Sequence, residues 1–281
     1  MASMKDIKQR IGNVKSTAQI IKAMDTIAST KLHKIRAQLE GVRPIYRDIR
    51  RQAQELGQNP QARKNAFYAG REVKHSLYIV LTSDRGFAGT YNANVLSAAL
   101  HHMEGKNEKI LTIGSKGQEF FKKKGKNILR DISGLPDSQM YYDSERLAKW
   151  MTEQYLSSEA DELFVAYTQL ENVLSYTAKV ERLLPVQTAQ APEGGRPERT
   201  YVPDLDTVIA HIIPLYMHMS LFRAFSESGT SEQAARMVSM NAAGKNASEL
   251  IEDLTMKYNR ERQAAITQEL SEIIGGANFG M

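Results

Sequence analysis

The sequence predicts a mixed architecture, an α/β sheet layer joined to a long helical coiled coil. Three observations predict it: a seam of apolar residues through the first 56 positions, a second long helical stretch closing the chain, and short apolar runs alternating with helical segments between them. The expected division is a two-helix shaft from residues 1–57 and 204–281, an α/β domain of Rossmann type over 74–186, and connecting segments at 58–73 and 187–203.

The first helix is read from a 4-3 alternation through Ile7, Ile11, Val14, Ala18, Ile21, Asp25, Ala28, Leu32, Ile35, Leu39, Val42, Tyr46, Ile49, Ala53 and Leu56, where only Asp25 is not apolar. A mean spacing of 3.5 returns each residue to one side of a helix that wraps a partner. At 1.5 Å per residue such a helix is roughly 75 Å long, more than a compact domain needs. Pro44 removes a backbone donor and predicts a bend near Val42.

In the middle, residues 76–81, 109–113, 127–132 and 162–170 read as strands, and 91–103, 115–124 and 144–157 as helices, giving alternating β and α elements. Residues 173–184 offer an antiparallel strand. The junctions are rich in Gly, Pro, Gln and Asn, and APEGGRPERTYVP reads as a loose surface connection. The closing helix is expected over 205–274, with Ala247, Leu250, Ile251, Leu254, Tyr258, Ala265, Ile266, Leu270 and Ile273 on one broad face. Too many spacings of four predict a seam that drifts from a strict heptad. Gly229 and Gly244 weaken this helix.

Composition narrows the function. Apolar residues make up 42% and charged residues 25% of 281, which fits a folded globular chain. The net charge of +5 is unevenly spread: residues 1–55 carry 12 basic against 5 acidic side chains, and residues 204–281 carry 6 against 10. Opposite signs suit pairing of the two ends. With no cysteine, disulfides, thiolate nucleophiles and zinc–cysteine sites are excluded. The N-terminus predicts no export or import signal. The most apolar stretch, 208–222, is shorter than a spanning helix and contains His211, Pro214 and His218, so no direct membrane insertion is expected.

Motif chemistry is sparse. The loop Ser83-Asp84-Arg85-Gly86-Phe87-Ala88-Gly89 follows a strand and precedes a helix, where α/β proteins hold phosphate on free N–H groups. Its glycine spacing fits neither the dinucleotide fingerprint nor a Walker A loop, so Ser83 or Asp84 capping a tight turn is the expectation. Gly114-Ser115-Lys116-Gly117 is a truncated phosphate-loop pattern that arises readily by chance. Lys122, Lys123, Lys124 and Lys126 read as a solvated helix end. The six histidines form no HExxH-type ligand pair, and His211 and His218 read as helix surface. Met217, Met219, Met237 and Met240 read as adaptable packing. A basic nucleic-acid binder lacks an aromatic-basic face here and is not expected. A homodimeric coiled-coil scaffold is left open by periodicity alone.

Three sets of segments then resemble the γ subunit of F-type ATP synthases, in order and in distance from the chain ends. They are DIKQRIGNVKSTAQIIKAM with ASTKL; SDRGFAGTYNAN with IGSKG; and SEQAARMVSMNAAGKNASELI with YNRERQAAITQELSEI. The resemblance implies a rotor shaft of a bacterial form, coupling ion translocation to ATP synthesis or hydrolysis. The implied partners are the α and β subunits of the catalytic ring, the ε subunit and the membrane c-ring. The chain itself is implied to be non-catalytic, with no bound cofactor; ATP, ADP and Mg are held by α and β. Arg262 and Gln263 are implied to engage a loop of β, with Thr267, Glu269 and Glu272 supporting that region, while Met24 and Arg236 match positions linked to coupling. The implied location is the cytoplasmic face of the cell membrane, peripheral, in the F1 sector. The family loop more usually reads RGLCG; Phe87 and Ala88 stand there instead, so no role of that thiol carries over.

Overall fold

The computed structural model describes residues 4–172, 175–188 and 200–278, with side chains described as far as Ile274. Most of the expected connection at 187–203 lies outside the described residues. Contacts divide the chain into two units, residues 29–236 and the pairing of 1–28 with 237–281. Both limits of this division fall within long helices.

The larger unit contains a five-stranded sheet: β1 (Ser76–Leu81), β2 (Glu108–Ile113), β3 (Ile128–Ile132), β4 (Glu162–Asn172) and β5 (Ser175–Leu184). The order is β3-β2-β1-β4-β5, with parallel pairing from β3 to β4 and β5 antiparallel at the edge. Helices α1 (Met4–Leu56), α2 (Tyr91–His102), α3 (Ser115–Lys123), α4 (Met140–Leu156) and α5 (Leu205–Asn278) complete the regular structure, with two short 3₁₀ turns.

Alternation along the strands sorts side chains into two cores. Leu77, Ile79, Leu81, Leu163 and Val165 face one layer, made by α1, α4 and α5. Tyr78, Val80, Ile110, Phe164 and Ala166 face the other, made by α2 and α3. Both faces of β1 are therefore covered, which is why SLYIVL is buried throughout. Part of α5 is long and apolar enough to cross a membrane. In this fold Ile209, Ile213, Tyr216, Met217, Leu221 and Ala224 are instead buried in the first core.

Helix α1 is continuous through Pro44, so the proline does not end it. The seam residues from Leu32 to Leu56 are all buried in the larger unit, and Ala28 is buried at the limit of the smaller one. In the smaller unit, Ile7, Ile11, Val14, Ala18, Ile21 and Asp25 are half-buried while their neighbours other than Met24 are exposed. The α5 segment of this unit buries or half-buries Met240, Gly244, Ala247, Ile251, Leu254 and Tyr258. That is a strict 4-3 spacing and corrects the expected drift. Leu250, Ile266, Leu270 and Ile273, expected on the same face, are exposed.

A Cβ placed on Gly244 would meet the Ile21 Cγ2 atom at 3.8 Å, so these two positions face each other. Pairing residues whose numbers sum to 265 sets Ile7 against Tyr258, Ile11 against Leu254, Val14 against Ile251 and Asp25 against Met240. The unit's own limits, Ala28 and Met237, obey the same sum. The two helices are antiparallel, and α5 from Arg262 onward runs past the first described turn of α1.

Candidate functional site

Doubly wound sheets bind ligands outside the carboxyl ends of their strands, where the strand order reverses. Here the reversal lies at β1, because β2 and β3 extend to one side and β4 and β5 to the other. The loop after β1 stands at this reversal. Asp84 accepts hydrogen bonds from the backbone N–H groups of Ser115 (3.0 Å) and Gly134 (2.9 Å), so one carboxylate ties together the ends of β1, β2 and β3. Lys116 N–H donates to the Ser83 carbonyl, and Gly117 N–H to the Thr82 hydroxyl at 2.9 Å. These are the N–H groups that a phosphate at the start of α3 would need. Protein oxygens occupy them.

Gly114 is obligatory for this closure, since its φ is +92° and a Cβ there would collide with the Thr82 carbonyl. The expectation that Ser83 caps its own turn is met by its hydroxyl donating to the Arg85 carbonyl at 2.7 Å, with Asn92 bonding both Ser83 N–H and Oγ.

The far side of the reversal is filled by α5. β4 outruns β1, whose pairing ends at Ala166, and so leaves strand-edge groups to satisfy. Ser228 Oγ accepts from Thr168 N–H and Ser231 Oγ donates to Thr168 O, both at 3.2 Å. Glu227 accepts from Leu170 N–H at 3.0 Å, and Arg43 of α1 grips the same carboxylate through Nε and Nη2 while donating to the Leu170 carbonyl. A second cluster lies deeper. Arg223 donates to Tyr167 and pairs with Glu181, which also accepts from Tyr46 and faces Arg50. Burial acts to raise the Glu181 carboxyl, but Arg223, Arg50 and the Tyr46 hydroxyl outweigh it and hold the group below the ordinary range. Burial pushes the Tyr167 hydroxyl up to about 12.

Of the residues singled out from the sequence, Arg236 is 7% exposed. Its Nη1 pairs with Glu232 at 2.7 Å and its Nη2 donates to the Arg85 and Gly86 carbonyls. It is an internal strut between α5 and the loop after β1. Met24 belongs to the smaller unit and is half-buried beside the seam. Arg262, Gln263, Thr267, Glu269 and Glu272 are exposed on the overrunning part of α5. Thr267 bonds back to the Gln263 carbonyl, and Glu272 accepts from Gln268. Exposed Ile266, Leu270, Ile273 and Ile274 lie among them.

His218 is a correction. It was expected on the helix surface but is buried, edge-on to Tyr141 with its Nε2 3.2 Å from the Tyr141 carbonyl, whereas His211 is exposed. The four methionines pack as expected: Met217, Met219 and Met240 are buried, and Met237 is half-buried. No cluster of metal-ligating side chains occurs among the described residues. Glu227, Arg223, Glu181 and Arg43 went unnoticed in the sequence. The available signal was charge recurring on the apolar side of α5, at Arg223 and Glu227.

Comparison with known proteins agrees with this picture. A family described as ATP synthase matches residues 3–278. The ATP synthase gamma chain of Alkaliphilus metalliredigens is 37% identical, covering 98% of this chain and 97% of its own length. The gamma chain of Geotalea daltonii is 38% identical over 99% and 98%. The sodium ion specific gamma chain of Acetobacterium woodii is 33% identical over 98% of each. Among solved structures, a chain in the OSCP/F1/c-ring assembly of the Euglena gracilis mitochondrial ATP synthase has a TM-score of 0.70 at 20% identity, covering 98% of this chain and 93% of that one. A chain of the central stalk/c-ring structure from Tetrahymena thermophila has a TM-score of 0.62 at 22% identity, over 80% and 99%. At these identities the two structures speak to the fold.

Proposed function

The chain belongs to the ATP synthase γ-chain family, and on that premise we propose that it is the central rotor shaft of the F1 sector, carrying rotation between a membrane c-ring and a catalytic ring of α and β subunits. It is a subunit of an enzyme complex that associates peripherally with a membrane; its place is the cytoplasmic face of a bacterial cell membrane, with ε as its neighbour on the stalk. The chain performs no chemistry of its own. It binds no cofactor and no nucleic acid, inserts no segment in the bilayer, and leaves ATP, ADP and Mg to α and β. The observation that carries this reading is the closed sheet edge: Asp84, Thr82 and Ser83 occupy the α3 N–H groups, and α5 covers the strand-order reversal. The position where an α/β domain would hold a nucleotide is used to fasten a helix.

A shaft acts by differential contact. It shifts a catalytic subunit between conformations only as far as its contacts favour one of them. Arg262 and Gln263 stand exposed on the part of α5 that outruns α1 and have charge-assisted and amide hydrogen bonds to offer a loop of β. Thr267, Glu269 and Glu272 continue that surface, and Met24 and Arg236 act from inside the shaft on its stiffness and on its tie to the sheet. In a complex reconstituted from α, β and this chain, Arg262→Ala with Gln263→Ala leaves the chain folded and the complex assembled, and lowers steady-state ATPase about tenfold or more. An assembled double variant with parental turnover contradicts the assignment. Calorimetry of the isolated chain is expected to show no stoichiometric micromolar ATP binding.

A further inference from the structure

Two buried charges of opposite sign stand one turn apart on α5, at Arg223 and Glu227. Arg223 donates to the Tyr167 hydroxyl of β4 at 2.7 Å and pairs with Glu181 of β5, while its guanidinium lies over the rings of Tyr46 and Tyr167. Glu227 accepts from Nε and Nη2 of Arg43 in α1, at 2.9 and 3.0 Å, and from the Leu170 N–H of β4. Residues four apart share one face of a helix, so both charges meet the sheet on the β4 side.

Stability alone does not account for them. A buried ion pair is often no more stabilising than apolar side chains of the same volume, and the adjoining Leu221, Ala224 and Phe225 are apolar and buried. What the charges add is a penalty on every other placement of the helix. Slid by one turn in one direction, α5 would set Glu227 against Glu181; slid in the other, it would set Arg223 against Arg43. Like charges meet in both cases. Turned about its axis, α5 would take both side chains off their partners and leave them unpaired among apolar groups. The contacts of Ser228 and Ser231 with Thr168 impose less, because a hydroxyl can donate or accept in its new place.

We infer that Arg223 and Glu227, with Glu181 and Arg43 facing them, are positioning residues that form a register lock, holding α5 against sliding or turning on the sheet while the shaft is under load. The inference rests on the shaft reading above and deepens it. Helix α5 is continuous from these residues to Arg262, so a turning force applied at its far end reaches the sheet through this stretch. Close packing transmits a push across the interface. It does not by itself forbid a helix from creeping along an apolar layer, and the paired charges do, since each alternative register sets like charges together or leaves a charge alone.

Arg43→Met with Glu227→Gln removes one of the two charge pairs while the glutamine carbonyl still accepts from the Leu170 N–H, and the isolated chain is expected to melt close to the parental temperature. The mechanical effect is read in the complex of α, β and this chain, with the ring fixed to a surface and a bead on Lys123→Cys, an exposed position on the sheet side of the lock in a chain without other thiols. Losing one of two load points roughly doubles the compliance between α5 and the sheet, so the angular distribution of the bead widens when ATP is absent. With ATP, the double variant turns a large bead at a smaller fraction of the parental speed than it turns a light gold particle. Arg43→Lys keeps the charge without the two-point grip and falls between parent and double variant in both readings. Either reading at its parental value overturns the inference. If the double variant fails to fold, Arg43→Lys decides alone, and parental behaviour of that chain overturns the inference as well. A parental bead that never turns would instead sink the shaft reading itself.

Discussion

Asp84 does with one carboxylate what a bound phosphate does in related sheets: it collects N–H groups from two strand ends and holds them at a common point. Because the site is exposed, water replaces part of what is lost on substitution, and Asp84→Ala is expected to cost about 1 kcal/mol. For a folded unit of this size that is a fall in Tm of about 2–4 °C, read by thermal denaturation. His218 provides a pH test. Burial holds its imidazole below the ordinary range, so between the ordinary histidine value and the lower folded one the unfolded chain binds more protons. Its contribution is complete above about pH 6.5 and is lost as pH falls through the folded value. Melting temperature measured from pH 7.5 downward should decline less in His218→Gln than in the parental chain. An identical pH profile would remove His218 from the balance. The sequence could not show this burial, because a histidine at heptad spacing looks the same whether Tyr141 covers it or water does.

The elements carry their own weak points. Asp25 occupies a seam position opposite Met240, and its Oδ1 is buried without a hydrogen-bond partner. Removing an unsatisfied carboxylate from an apolar seam stabilises, so Asp25→Leu is expected to gain about 1–3 kcal/mol. Ile21→Asp, adding a charge one turn earlier, should lose several kcal/mol, and equal melting of the two would contradict the seam. Gly229 and Gly244 lie within α5 where a Cβ meets Ile35 and Ile21 at ordinary contact distances of 3.5 and 3.8 Å. Alanine at either position should gain about 1 kcal/mol through helix propensity. The α1 seam was legible because one period of 3.5 runs its whole length. The α5 seam was not, because the sequence superposes two surfaces. Residues 240–258 face α1, whereas Ile266, Leu270 and Ile273 lie beyond it, and their spacing blurred the heptad. Likewise Glu227, Ser228 and Ser231 look like solvent-facing helix residues. They are buried because β4 outruns β1, a relation between elements far apart in sequence.

For the whole chain, the functional surface assigned to α5 begins where its intramolecular pairing ends. Within residues 262–274 only Ala265 is half-buried, so a chain ending at residue 261 should fold with a Tm close to the parental value. In the reconstituted complex the same truncation should lower ATPase turnover by at least the amount seen with Arg262→Ala and Gln263→Ala. A shortened chain that fails to fold would show that the overrun serves stability and not coupling. The absence of cysteine allows one more experiment on the intact molecule. A single thiol introduced as Lys123→Cys, at the exposed end of α3, takes a bead without competing sites. With the α/β ring fixed to a surface and ATP added, the account predicts sustained rotation of the bead in one direction, stopping when ATP is withdrawn. An assembled, ATP-hydrolysing complex whose bead does not turn would contradict the claim that this chain is the shaft.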